Sequence, residues 1–211
     1  MDNQEFDPII PKKKSPFFRF IALFIAITVL LLSARGYFYL IHPEPKDAVK
    51  IEDVQQFIEK APQIFTSHGI DRISIVLSET EDDIKTIANY ISAKSCKKAD
   101  SVCQSKALFY FVRDQIKYVS DARFQDQLQN PLLTLKTGGA DCEDKAVLLI
   151  ALEKAIGNDA RIVFVPGHAY AQIKIPKYKD KWINLDSTCE YCKFDELVDS
   201  SALSKKTFHK L

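Results

Sequence analysis

A thiol, an imidazole and a carboxylate follow one another within one stretch of this sequence. Cys142 begins a predicted helix, and His168 and Asp186 follow it on two successive predicted strands. A thiol beside an imidazole that is held in place by a carboxylate is the arrangement of an activated sulfur nucleophile. The sequence therefore predicts a catalytic triad of Cys142, His168 and Asp186.

The residues around Cys142 predict the start of a helix. The glycines at 138–139 allow a tight turn, Asp141 is a good N-cap, and Asp144 three positions later suggests a capping-box-like pair. The N–H groups and dipole at a helix start favour a thiolate. Asp141, Glu143 and Asp144 oppose that effect, so we expect a cationic partner for Cys142.

His168 is the predicted partner, because two adjacent antiparallel strands can place an imidazole and a carboxylate side by side. The carboxylate of Asp186 would then fix the tautomer and orient the ring. Apolar runs and alternation predict the segments that carry them: a buried strand over 161–165, a turn at 166–167, a half-buried strand over 168–175 and a further strand over 181–186.

Several motifs resemble the transglutaminase-like core of the papain-like thiol enzymes. They are Gly139-x-x-Cys142-x-Asp144-x-Ala146, His168-Ala169-Tyr170, Trp182-x-x-x-Asp186-Ser187-Thr188 and an upstream helix-like stretch over 107–118. The resemblance covers about residues 105–190. It implies an α+β fold in which the helix that presents Cys142 packs on an antiparallel sheet that presents His168 and Asp186.

The resemblance does not fix the reaction, because the family includes transglutaminases, cysteine peptidases, amidases and inactive scaffolds. The sequence departs from the family pattern at Ala140, where glycine is frequent, and at Ser187, where proline is frequent. Glu143 stands where animal transglutaminases carry tryptophan, and the chain has no room for their accessory domains and calcium sites. We expect no cofactor and no metal at this site.

One part of the catalytic site is not readable from the sequence. The backbone N–H of Cys142 can donate to an oxyanion, as in any nucleophile at a helix start. Gln115 and Gln129 are candidates for the second donor.

The N-terminal part of the chain predicts a membrane anchor. Residues 1–16 read as a disordered cytoplasmic tail with lysines at 12–14, and residues 17–41 as a transmembrane helix. The uncharged run over 21–34 is shorter than the ~20 residues of a spanning helix, and aromatic residues extend it. A cleaved signal peptide is the alternative. The positive-inside rule places residues 42–211, the predicted transglutaminase-like domain, outside the cell membrane.

Cysteine usage leaves two possibilities open. Setting aside Cys142, four of the five cysteines remain, as the short-spaced pairs Cys96/Cys103 and Cys189/Cys192. An outside location favours two disulfides and one free thiol. A four-cysteine zinc site is the alternative. Local pairs are the simpler connectivity, but the sequence does not exclude crossed ones.

The formal net charge of +1 gives no reason to expect a nucleic-acid partner. The expected partners are a peptide or protein substrate and a membrane reached through one N-terminal helix. We expect a membrane-anchored enzyme whose cysteine attacks amide bonds and forms a thioester, which water or an amine then resolves. The alternative is a catalytically inactive binding module at the cell envelope.

Overall fold

The computed structural model describes residues 16–41, 43–58, 73, 77, 80–121, 128–179, 181–197 and 206–210. The chain divides into two compact units, residues 1–42 and 43–211. The first unit contains helix α1, Pro16–Ile41, which begins one residue before the predicted anchor. Except for Pro16, the tail predicted over 1–16 lies outside the described residues.

Helix α1 is long and apolar enough to cross a membrane. The stretch Phe17–Tyr37 has 21 residues and a mean hydropathy of 2.4, and its side chains are exposed. The aromatic residues at both ends extend the helix beyond the uncharged run over 21–34, which explains the added length. A signal sequence near the N-terminus meets the same criterion, so the helix alone does not separate an anchor from a leader.

The second unit contains helices and strands in the order that the sequence predicts around the triad. Among the described residues, the continuous helices are α2 (Ile51–Gln55), α3 (Glu81–Ser95), α4 (Ser101–Gln115), α5 (Pro131–Thr137) and α6 (Cys142–Ala155), with a 3₁₀ turn at Pro176–Tyr178. The strands are β1 (Lys117–Tyr118), β2 (Gly139–Ala140), β3 (Asp159–Val165), β4 (His168–Lys174), β5 (Trp182–Leu185) and β6 (Thr207–Lys210).

Two sequence-based expectations before residue 80 differ from the structure. A helix is expected over 47–60, but within 47–58, the described part of that range, only α2 is α-helical. A strand is expected over 70–77, yet Ile73 and Leu77, the described residues of that range, are helical. A short apolar run does not separate a buried strand from a buried helix, which explains the difference at these two residues. The rest of 70–77 lies outside the described residues.

The larger sheet has the strand order β5-β4-β3-β6, and every neighbouring pair in it is antiparallel. Helix α6 packs against β4 and β3 on one face of this sheet. The side chains that face it are small or branched and fully buried: Ile162, Ala169, Ala171, Ile173 and Leu185. The predicted α+β fold, with the nucleophile helix on an antiparallel sheet, is confirmed.

Helix α6 is enclosed on nearly all sides. Besides the sheet, α3, α4 and α5 pack against it, and every residue over 144–153 is buried. A helix that is buried all round must be apolar or must pair its polar groups. The run nevertheless contains Asp144, Lys145 and Glu153, so each needs a partner inside the protein.

Glu153 shows how burial changes the pKa of such a group. Its Oε2 accepts hydrogen bonds from Ser105 Oγ at 2.8 Å and from Asn158 Nδ2 at 2.7 Å. Its Oε1 is buried and has no hydrogen-bond partner among the described residues. Burial raises the pKa of Glu153 to about 7, although the two hydrogen bonds act in the opposite direction.

Replacing Glu153 by glutamine should flatten the pH dependence of the free energy of unfolding. The pKa rises from 4.5 to about 7 on folding, so the unfolded state ionises first. Stability from this group therefore falls between those two pH values, by ~3 kcal/mol at most. Glutamine does not ionise and removes that slope.

The measurement is urea unfolding of the full chain at about pH 5 and about pH 8, below and above most of the transition. Glu52→Gln, at an exposed position of α2, is the matched control. An equal pH dependence of the free energy of unfolding in the parent and in Glu153→Gln would contradict the raised pKa of Glu153.

Candidate active site

The turn before Cys142 depends on its two glycines. Gly138 ends α5 in the left-handed conformation with φ 69°, which costs glycine little. Gly139 pairs with Lys117 in the short parallel sheet of β1 and β2, and a Cβ on it would lie 3.1 Å from Val119 Cγ2. The chain therefore needs both glycines to pass closely along β1 before it enters α6.

Asp141 caps α6 as the sequence predicts. Its Oδ1 accepts a hydrogen bond from the Asp144 N–H at 3.0 Å. The reciprocal half of the capping box does not form, because the Asp144 carboxylate is buried and its Oδ1 accepts from the Gln129 N–H at 2.7 Å. Cys142 is the first residue of the helix and is partly exposed, so its N–H has no partner within the helix.

Strands β4 and β5 bring the other two residues together. His168 begins β4 after the turn at 166–167, and Asp186 directly follows β5. The His168 Nε2 lies 3.0 Å from the Asp186 Oδ2. Asp186 is 1% exposed, and its Oδ1 accepts a hydrogen bond from the Thr188 N–H at 3.2 Å. The carboxylate is therefore held on both oxygens.

The Cys142 thiol lies close enough to His168 to raise the pKa of the imidazole. Since Asp186 occupies Nε2, Nδ1 is the ring nitrogen that remains for the thiol. The structure therefore brings together Cys142, His168 and Asp186, the three residues that the sequence predicts as a triad.

The electrostatics of the site favour a charged imidazole. The hydrogen bonds to Asp186 and then to Cys142 raise the pKa of His168 to about 9, against the effect of burial. Burial raises the pKa of Asp186, but the hydrogen bond and charge of His168 outweigh it, so this pKa is lowered. An imidazolium beside a thiol is the arrangement that favours a thiolate nucleophile.

Three residues near the nucleophile, Tyr118, Asp144 and Lys145, occupy positions that the sequence did not predict. Tyr118 on β1 is exposed, and burial and the Cys142 charge raise its pKa. Lys145 is 2% exposed, and its Nζ donates to the Ile116 carbonyl at 2.8 Å. Burial lowers the pKa of Lys145 to about 8 and raises that of Asp144 to about 7. For Asp144 and Lys145, the signal in the sequence was a pair of charges at the start of an otherwise apolar helix.

The two candidates for a second oxyanion donor lie in different surroundings. Gln115 accepts a hydrogen bond from the Ile51 N–H at 3.2 Å and lines a cavity of about 230 Å³ beside residues 45–49. Gln129 lies beside the first turn of α6 through its bond to Asp144, and its Oε1 is buried. Of the two, Gln129 has a direct contact with the nucleophile helix, and its role stays a prediction.

The remaining cysteines form two local disulfides, Cys96–Cys103 and Cys189–Cys192, and Cys142 is free. The prediction of disulfides is confirmed in its simpler, local connectivity. With their sulfurs paired, these four cysteines do not act as zinc thiolates. In the described part of the chain, no group of three or more His, Cys, Asp or Glu residues is arranged to hold a metal ion.

Residues 85–187 match the transglutaminase-like superfamily, and the chain therefore carries a transglutaminase-like domain. This confirms the resemblance read from the motifs. No curated protein sequence matches the chain.

Solved structures add weaker likenesses. A candidate cysteine protease from Cytophaga hutchinsonii is 18% identical, with a TM-score of 0.42 over 78% of this chain and 55% of that protein. LapG from Legionella pneumophila is also 18% identical, with a TM-score of 0.41 over 77% of this chain and 83% of LapG. This chain thus spans about half of the first protein. Likenesses at this level say nothing about reaction or substrate.

Replacing Asp186 by asparagine should lower the pKa of His168 from about 9 towards its ordinary 6.5, because the carboxylate is the first cause of the rise. A His pKa raised on folding stabilises the folded state fully below about 6.5, and this contribution disappears as pH rises through about 9. Asp186→Asn should therefore lose stability mainly on the acidic side of that window.

NMR titration of the imidazole protons measures the change directly. The chain has four histidines, and a His168→Gln spectrum identifies the signal that belongs to His168. Asp82→Asn, at an exposed position of α3, is the control. An unchanged His168 titration in Asp186→Asn would contradict the pairing.

Proposed function

We propose that this protein is a membrane-anchored cysteine-nucleophile enzyme that cleaves amide bonds of a peptide or protein through a thioester. The observation that carries the proposal is that one imidazole, His168, lies 3.0 Å from the buried Asp186 carboxylate and has its pKa raised by the nearby Cys142 thiol. The transglutaminase-like domain over 85–187 supports the same class of chemistry.

In the first half of the reaction, the Cys142 sulfur attacks the carbonyl carbon of the amide. The Cys142 N–H, which has no partner within α6, donates to the oxygen that becomes negative. The C–N bond then breaks, and the leaving amine takes the proton held by the His168 imidazolium. The product of this half is a thioester between Cys142 and the acyl part of the substrate.

In the second half, a water molecule attacks the thioester carbon and His168 removes its proton. The C–S bond breaks, which restores the Cys142–His168 pair and releases a carboxylate. An amine in place of water would give a new amide. We favour water, because Glu143 stands where crosslinking enzymes of this family carry tryptophan. Asp186 keeps the ring oriented in both halves but transfers no proton.

Cys142→Ala should abolish turnover, because no other described side chain replaces the sulfur. His168→Gln should lower turnover by at least ~10²-fold, the usual effect of losing a positioned acid–base group. His209→Gln, on β6 against Phe164, is the matched control and should keep parental turnover.

Turnover is followed with a set of internally quenched peptides for hydrolysis and with incorporation of a fluorescent amine for acyl transfer. In parallel, iodoacetamide should label Cys142 at neutral pH faster than an ordinary thiol, and more slowly in His168→Gln. Slow labelling together with no turnover on either assay would favour the inactive binding module.

We also propose that α1 is retained as an anchor, with the tail in the cytoplasm and the transglutaminase-like domain outside the cell membrane. The lysines at 12–14 and Arg19 precede the apolar stretch, as the positive-inside rule requires for this orientation. The two disulfides are of the kind that persists in an oxidising compartment.

A protease added to intact cells, or to cells with a permeabilised outer envelope, should digest the domain and spare a tag placed before Lys12. A protected domain would reverse the orientation. Loss of the tag from the mature chain would instead identify the apolar stretch as a cleaved leader.

A further inference from the structure

The sheet has a second face, opposite α6, and the strand register determines which residues lie on it. Arg161 pairs with Gln172, which pairs with Asn184, and Lys174 pairs with Trp182. Directly paired residues in antiparallel strands lie on the same face, and so do residues two apart on one strand. His168 is therefore on the same face as Gln172 and its neighbours.

Arg161 is held rigidly at the centre of this face. Its guanidinium lies 3.9 Å from the centre of the Trp182 ring and 4.1 Å from that of Phe208. Its Nε donates to the Gln172 Oε1 at 2.8 Å, and Gln172 in turn donates to the Asn184 Oδ1 at 2.8 Å. Two aromatic rings and one hydrogen bond thus fix the plane of the guanidinium.

The hydrogen-bonding capacity of Arg161 is nevertheless largely unused. In the described part of the chain, its two terminal Nη groups have no hydrogen-bond partner, and the side chain remains partly exposed. Lys174 lies 5.0 Å from the Trp182 ring, and Lys206 lies 5.7 Å from the Tyr170 ring. Neither lysine forms an ion pair with a described carboxylate.

This face therefore presents three cations without an ion-pair partner among the described residues, with Asp159 as the cross-strand neighbour of Lys174. A planar guanidinium with both Nη groups free binds a carboxylate through two parallel hydrogen bonds. Because aromatic rings already hold it in place, little side-chain entropy remains to be lost on binding. Phe208, 46% exposed, adds apolar surface for the remainder of a ligand.

We propose that Arg161, Trp182, Phe208 and Lys174, here called the guanidinium platform, bind an acidic side chain of the polypeptide substrate. The inference rests on the proposed amide-bond chemistry and names the class of substrate for it: an extended segment that carries Asp or Glu. Charge complementarity and the unused Nη groups select this occupant.

The platform and the catalytic imidazole are both placed by β4. Gln172, beside Arg161, is four residues from His168 along β4, and the Tyr170 ring stacks on His168 between them, with centres 6.3 Å apart. At the rise of a strand, four residues span ~13 Å. The platform is therefore about this far from the imidazole, with the buried Tyr170 and Gln172 between them.

Binding is tested on the full chain with Cys142→Ala in neutral detergent, so that no turnover is needed. Trp182 is the single tryptophan, and its fluorescence reports directly on the platform. A blocked glutamate-rich peptide should bind at least ~10-fold tighter than its glutamine isostere, and added salt should weaken it.

Arg161→Lys keeps the charge but loses the planar pair of Nη groups, so it should weaken binding of the glutamate peptide by ~10-fold. If this variant does not fold, Lys174→Gln decides, with an expected loss of about threefold from one exposed charge. Lys85→Gln, on the exposed side of α3, is the control and should change nothing.

Equal binding of the glutamate and glutamine peptides would overturn the proposal. So would a Trp182 response to phosphatidylglycerol nanodiscs without discrimination between the peptides, which would identify a lipid surface instead. Because binding is measured without turnover, failure of the amide-bond chemistry leaves this result standing. Conversely, if Cys142 is reactive but the glutamate and glutamine peptides bind equally, the role of the guanidinium platform is refuted and the proposed amide-bond chemistry is not.

Discussion

A buried carboxylate that must stay charged is the constraint on which the site depends. Asp186 is almost fully excluded from water, and an isolated carboxylate there would take up a proton. The His168 imidazolium and the Thr188 N–H keep it ionised, and the same interaction raises the pKa of His168. The charge of the pair is thus a property of the fold, present before any substrate arrives, and the thiol meets an imidazole that is already cationic.

The enclosure of α6 explains why this pairing is positioned so well. Because the sheet and three helices surround the helix, its first residue cannot shift without disturbing the core. The same enclosure forces Asp144 and Lys145 inside, where each bonds to the backbone of a neighbouring segment, at Gln129 and Ile116. These two bonds tie the segments on either side of the nucleophile to its helix. A removal of either charge would therefore leave a buried polar group without its partner.

The sequence was sufficient to place Cys142, His168 and Asp186 on or next to their helix and strands, because each of these residues has a strong local signal. A cap and two glycines define the start of α6, and alternation and a Pro-Gly turn define β4. Local sequence signals did not predict a contact when the contacting residue is distant in the sequence. Nothing near Asp144 indicates that Gln129 will occupy its carboxylate, so a capping box was expected in its place. Likewise, the short apolar run over 70–77 has no local feature that separates strand from helix.

The two faces of the sheet show how one register can serve two purposes. Alternation along β3 and β4 sends Ile162 and Ala171 towards α6 and Arg161 and Gln172 to the opposite side. A shift of one residue in the pairing would exchange these sets and would also turn His168 away from Asp186. The strand register that packs the apolar residues against α6 therefore also places the His168 imidazole on the face that carries Arg161.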